Sequence, residues 1–267
     1  MQWINNRNPL TTSPKNPIII DTHKYYTFSQ ADWDKTPQQI TGALPGEFQE
    51  LQRRSGSLLS SKGEGQVIVG EWSCVMDGKT WARVGADERD DLVKQFGQAQ
   101  CKAWCEKTGG CYFWTYRSGW NGGEWSFEEQ TRKGNVIAPN FLQLPSREAL
   151  NRVRTAQDRR AQLGGTDRSN HENYWNSASP GKKFQHELYS AGWDLGYSDA
   201  MSFFKMRAEG SLGANARDAV GGGDKIGCLD VWIKKRLLES NARGEFVWEW
   251  EQGFRQGVAS FYSVVGF

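Results

Sequence analysis

The run Val67-Ile68-Val69-Gly70-Glu71-Trp72-Ser73 constrains the fold of this chain more than any other segment. Three apolar residues in succession read as a strand buried on both faces, the pattern of a parallel sheet covered by helices. Gly70 allows a tight turn, and one carboxylate, Glu71, stands where the strand is expected to end, with Trp72 directly after it. The same kind of unit occurs twice more. Pro17-Ile18-Ile19-Ile20-Asp21-Thr22-His23 is an apolar run ending in polar, chemically capable residues, and Cys111-Tyr112-Phe113-Trp114-Thr115-Tyr116-Arg117 is β-rich and aromatic.

Helices are expected between these runs. Thr36-Pro37-Gln38-Gln39 carries an N-cap, a proline at the first helical position and a glutamine three residues after the cap. The helix it opens could resume after the break at Pro45-Gly46 and pass through Phe48 and Leu51. A second helix begins with the negative charges of Asp87, Asp90 and Asp91. Its apolar stripe is Leu92, Phe96, Ala99, Ala103 and Trp104, and Gly109-Gly110 stop it. Strand, helix, strand, helix, strand with buried strands implies a parallel sheet with right-handed crossovers. Such a sheet brings the strand tips carrying His23, Glu71 and Trp114 to one edge, where a β/α barrel presents catalytic groups.

Four motifs occur in order: Asp21-Thr22-His23-Lys24-Tyr25, Gly70-Glu71-Trp72-Ser73, Phe113-Trp114-Thr115-Tyr116 and Glu124-Trp125-Ser126-Phe127. Together they resemble the last three β/α units of glycoside hydrolase family five, in its fungal exo-β-1,3-glucanase branch. The likeness covers roughly residues 15 to 140, about half the chain. It implies an α/β fold: strands six to eight of a TIM (β/α)8 barrel in residues 1–144, followed by a mainly α-helical extension in 145–267. It also implies that Glu71 is the nucleophile of a retaining hydrolase, that His23 and Tyr25 line the reactive subsite, and that Trp114 lies under the bound sugar.

The residue chemistry is consistent with those roles. A retaining glycosidase needs an ionised carboxylate to attack the anomeric carbon, and hydrogen-bond donors such as His23 and the Tyr25 hydroxyl favour that ionised form. Sugar rings offer flat C–H patches to aromatic faces. Trp72 beside the carboxylate, with Trp114, Trp120 and Trp125 around one loop region, are the candidate substrate-binding aromatics. Tyr112 or Phe113 fits a core position, whereas Trp120 lies in Ser118-Gly119-Trp120-Asn121-Gly122-Gly123, which has no apolar period.

The same reaction requires a second carboxylate about 5 Å from the first, acting as general acid and then base. In the family it follows an asparagine on an earlier strand, and no Asn-Glu pair precedes His23. Five strands and this acid are therefore expected to be missing, and three units cannot close an eight-stranded barrel. A chain of this kind is expected not to hydrolyse a glycoside efficiently by itself.

From about Pro145 the pattern turns helical. Ser146 is expected to cap a charged helix through Leu150 and Val153 toward Arg160. Its arginines are balanced by Glu148 and Asp158, and a net charge of +2 for the chain argues for a solvated face and against nucleic acid. An internal repeat follows. Trp193-Asp194-Leu195-Gly196-Tyr197 with Ala200 and Phe204 matches Trp250-Glu251-Gln252-Gly253-Phe254 with Gly257 and Phe261. Small residues four apart make a groove in which two helices can approach closely, so the repeat is expected to encode two similar packed helices. Sugar binding by Trp175 or Trp193 is the lesser alternative. Asp224 to Glu239 is expected to be a further amphipathic helix with Ile226, Leu229, Trp232, Ile233 and Leu237 inward.

No stretch approaches the length of a transmembrane span. Five cysteines is an odd number, and Cys101 and Cys105, four apart on a helix, are poorly placed for a mutual disulfide. Cys111 could pair with either, or all could stay free thiols. Cysteine and histidine spacing suggests no metal site and no cofactor, and His171 and His186 read as ordinary surface or packing residues without a partner. The family's characterised enzymes act outside the cell on wall glucan, while the thiols would suit a cytoplasmic form. Two functional classes follow: a hydrolase acting on β-glucan or a glucose-containing oligosaccharide, or a non-catalytic carbohydrate-binding or scaffold protein that keeps the aromatic cleft without the acid.

Overall fold

The computed structural model describes residues 17–49, 58–59, 65–117, 119, 122–210 and 222–267. The described residues form two compact units. One runs from 17 to 139 except for Leu58 and Leu59, and the other joins those two leucines to the residues from 140 onward.

The first unit is built on a three-stranded parallel sheet in the order β1 (Ile18–Tyr26), β2 (Gly65–Met76), β3 (Cys111–Phe113). The expected connections are present. Thr36 caps α1 (Pro37–Ala43) in a capping box: its hydroxyl accepts from Gln39 N and the Gln39 side chain accepts from Thr36 N. α2 (Arg89–Lys107) buries Leu92, Phe96, Ala103 and Trp104 against Val69, Trp72, Cys74 and Met76 of β2. After a 3-10 turn over Leu44–Gly46, Phe48 is not helical but stands at φ +60°; Gln49 is again helical, and the residues that follow it lie outside the described residues. Leu51 and Trp120 lie outside the described residues.

Two expectations about the central strand need correction. β2 does not end at Glu71 but continues to Met76. Thr22 pairs with Val69 and His23 with Glu71, so Gly70 is the extra residue of a β-bulge rather than the corner of a turn. The strand is also not buried on both faces: Val67 and Val69 are buried, Ile68 is only half-buried, and Ile19 on β1 is exposed. β-Branched runs fit a one-sided sheet as well as a two-sided one, so the apolar triplet cannot distinguish them. The third run is a strand only over Cys111–Phe113, and α3 (Phe127–Arg132) follows it, capped by Ser126.

The second unit is helical: α4 (Ser146–Ala178), α5 (His186–Ala208), α6 (Leu229–Ser240) and α7 (Val247–Val265). α4 runs well past Arg160, and Ser146 is its first helical residue while Pro145 holds the cap position. α6 begins later than the pattern suggested, but Ile226, Ile233 and Leu237 are buried as expected.

The internal repeat is the pair α5 and α7. A Cβ at Gly192 would lie 2.0 Å from the Trp250 carbonyl oxygen, and one at Gly196 would lie 2.2 Å from that of Phe254. Reciprocally, a Cβ at Gly253 would lie 2.0 Å from Tyr189 O and one at Gly257 2.1 Å from Trp193 O. The contact positions rise together along both helices, so they run parallel. Trp193, Tyr197, Phe204, Trp250, Phe254 and Phe261 pack beside this seam, all at 3% exposure or less. Trp193 is therefore a core residue; its indole donates to Asp167 at 2.8 Å.

Candidate active site on the parallel sheet

Alternation along β1 sends Lys24 and Tyr26 to one face, where both meet Glu47, and His23 and Tyr25 to the other. The bulge at Gly70 sets Glu71 opposite His23 in the register. There the Tyr25 hydroxyl donates to Glu71 Oε2 at 2.7 Å, and His23 Nδ1 stands 3.4 Å from the same oxygen. The other nitrogen of His23 faces Asp21 Oδ2 at 3.8 Å. The Asp21 carboxylate lies over the glycine of the neighbouring strand, so a Cβ at Gly70 would displace it from this position.

Glu71 is half-buried, while His23 and Asp21 are open to solvent. Desolvation, then the hydrogen bond to Glu71 and its negative charge, hold the Tyr25 phenol above its ordinary pKa. Tyr25 therefore keeps its proton and serves as a fixed donor to the carboxylate.

The aromatic residues divide into two groups. Trp114 follows β3 directly, is exposed at 52%, and its backbone N–H donates to Trp72 O at 2.8 Å. The Trp114–Thr115 peptide is cis. Thr115 ties this segment to the next motif, its N–H donating to Trp125 O at 2.7 Å and its carbonyl accepting from Phe127 N at 2.9 Å. Trp125 is half-buried against Tyr25, with ring centroids 5.6 Å apart. Trp72, by contrast, is buried at 3% exposure with its ring edge-on to Phe113 at 4.9 Å, so it supports the sheet and offers no face to a ligand in this unit. Alternation along the strand after the bulge puts Trp72 on the face opposite Glu71, and adjacency in sequence could not convey this.

Phe28, which sequence reading did not single out, and two residues of the quoted motifs complete the surroundings. Phe28, 67% exposed, packs edge-on to Tyr25 at 5.5 Å, and Tyr116 is also exposed. Glu124 is engaged elsewhere, accepting from Arg89 Nη2 at 2.8 Å and Nε at 3.1 Å. None of the five cysteines forms a disulfide. No described helix is long and apolar enough to cross a membrane.

Residues 156–265 match the family model described as the glucan 1,3-beta-glucosidase 3 C-terminal domain. Two curated relatives match across nearly the whole chain. An uncharacterized glycosyl hydrolase of Saccharomyces cerevisiae is 28% identical over 249 residues, covering 91% of this chain and 42% of its own length. Glucan 1,3-beta-glucosidase 3 of Schizosaccharomyces pombe is 23% identical over 257 residues, covering 95% of this chain and 46% of its own. The chain thus spans less than half the length of these relatives. No solved structure matches it. The comparisons support the resemblance carried by the four motifs, that of a fungal exo-β-1,3-glucanase-like protein.

Proposed function

We propose that this exo-β-1,3-glucanase-like chain is the nucleophile-bearing part of a retaining hydrolase of β-glucan, a glucan 1,3-beta-glucosidase, with its sheet supplying strands six to eight of a TIM barrel. The observation that carries the proposal is the short hydrogen bond from Tyr25 to Glu71, on a carboxylate that the register sets beside His23, with Trp114 exposed just past the end of the neighbouring strand β3.

In this mechanism Glu71 attacks the anomeric carbon and forms a covalent glycosyl-enzyme, which water then hydrolyses. Tyr25 and His23 hold the carboxylate oriented. Trp114 lies under the sugar ring, and Trp125 backs Tyr25 and borders the subsite. The general acid that protonates the leaving oxygen lies outside the described residues, and the 267-residue chain alone is proposed to be inactive. A second reading, a carbohydrate-binding protein without turnover, draws on the exposed aromatic row Tyr112, Trp114 and Tyr116.

A mechanism-based glycoside separates the two readings. A protein with a complete barrel, incubated with an activated 2-deoxy-2-fluoro-β-glucoside, should gain one sugar mass on the peptide containing Glu71. Labelling on a different carboxylate would refute the assignment, and tight binding of a β-1,3-gluco-oligosaccharide without any labelling would favour the binding protein. In the same protein Tyr25→Phe should slow labelling by the equivalent of about 1.5–3 kcal/mol, the usual worth of a hydrogen bond to a charged group. An unchanged rate would show that the Tyr25 bond has no part in the chemistry.

A further inference from the structure

The helical unit buries a second constellation that sequence reading dismissed. His171 of α4, His186 at the start of α5 and Glu249 in the first turn of α7 converge, so neither histidine is without a partner. His171 Nε2 lies 2.9 Å and His186 Nδ1 2.7 Å from the same oxygen, Glu249 Oε2, while Glu249 Oε1 accepts from Gln185 N at 2.9 Å. The three residues are 15 to 78 positions apart in the chain, beyond the reach of any ligand-spacing rule.

The charge arrangement around Glu249 is unlike that of its neighbours. Four carboxylates of this unit are buried among the described residues: Asp199, Asp230, Glu249 and Glu251. Arg236 grips Asp199 through two bonds of 2.7 Å, and Arg255 reaches both Asp230 and Glu251. Glu249 is fully buried at 0% exposure, yet both of its ion pairs are with histidine. A buried carboxylate without a cationic partner is costly, and neutral imidazoles do not cancel its charge.

The tautomers point the same way. Asn176 Oδ1 stands 3.4 Å from His186 Nε2 and suits an N–H there, which leaves a lone pair on Nδ1 directed at the carboxylate. That conflict belongs to the neutral imidazole, and either a proton on Nδ1 or a metal ion between the two resolves it. An outer acceptor orienting the far ring nitrogen is also the usual support of a metal-ligating histidine. His171 is held flat on Tyr189 at 4.0 Å, and its ring is nearly perpendicular to that of His186.

We propose that His171 Nε2, His186 Nδ1 and the Glu249 carboxylate bind one divalent transition-metal ion of the zinc class, cross-linking α4, α5 and α7. Two imidazoles and one carboxylate form a zinc-type donor set, with metal bonds of about 2.0–2.2 Å. Tetrahedral geometry would separate the donor atoms to about 3.3 Å, so each histidine nitrogen would move about 0.5 Å away from Glu249 Oε2, and all three donor atoms already lie within 4.8 Å of one another. His186 is the most exposed of the three, so the fourth position, held by water, opens on its side. The role is structural: the ion supplies the charge that an arginine supplies to the other buried carboxylates.

The test uses the full 267-residue chain, stripped with a chelator and titrated with zinc ions by calorimetry and with cobalt ions by visible absorption. The expected result is one tight equivalent, tetrahedral cobalt bands without thiolate charge transfer, and a metal-dependent rise in Tm. Glu249→Gln, close in shape, and His186→Asn, at the most exposed ligand, should each weaken affinity by at least about 100-fold while retaining the helical circular dichroism signal. No stoichiometric uptake, thiolate bands from the cysteines, or unchanged affinity in folded variants would each overturn the proposal.

Discussion

Replacing both Gly196 and Gly253 by alanine is expected to destabilise the helical unit by roughly 4 kcal/mol, although each change raises helix propensity. The two effects have opposite signs, and their magnitudes decide. Alanine in a helix interior gains about 1 kcal/mol over glycine. Against this, each new methyl would stand 2.0–2.2 Å from a backbone carbonyl oxygen of the facing helix, where ordinary contact begins near 3.4 Å. Neither oxygen belongs to a side chain that could rotate away, so α5 and α7 must separate by more than 1 Å along the seam. That separation loosens Trp193, Tyr197, Trp250 and Phe254 together, because interiors packed at crystal density do not absorb such a shift locally. The two sites share one interface, so their costs are not expected to add simply. Urea denaturation followed by the helical circular dichroism signal should show a large fall in midpoint with little change in slope. A double variant as stable as the parent would mean that the close approach of these helices is not what holds the unit.

In a protein with a complete barrel, Glu71→Gln should lower kcat by three orders of magnitude or more, on the order of what loss of a covalent nucleophile costs elsewhere. Glutamine keeps the shape and still accepts the Tyr25 hydrogen bond, so the affinity for a β-1,3-linked gluco-oligosaccharide should change little. The combination is diagnostic. Loss of turnover with retained binding identifies chemistry, whereas loss of both would mean that Glu71 holds the sheet or the sugar in place. Turnover retained within tenfold would remove Glu71 from the mechanism. The geometry makes the first outcome the expected one: the carboxylate is only half-buried, and its bonds come from the neighbouring strand β1.

Much of the local structure was legible in the residues. The capping box at Thr36, the acidic start and glycine stop of α2 and the three β-rich runs are short-range signals, and each element appears where its signal lies. The repeat of tryptophan, glycine and aromatic residues likewise announced two helices in close approach, since small residues four apart have one face to share. The errors arose where a long-range partner decides. Gly70 looked like a turn because its sequence cannot show that β1 skips a residue opposite it. Trp72 looked like part of the site because adjacency to Glu71 ignores the alternation that sends its ring into the core.

His171 and His186 mark the limit most plainly. Neither has a partner within reach along the chain, and both meet Glu249 only because α4, α5 and α7 pack together. The sequence by itself determined the kinds of elements, their order, and which residues carry chemistry, because propensity, capping and periodicity act over a few residues. Only the tertiary structure decided which face of β2 bears Glu71, which indoles stay open to a ligand, and which buried carboxylate lacks an arginine. Those facts depend on strand register and helix contact, which join positions tens of residues apart.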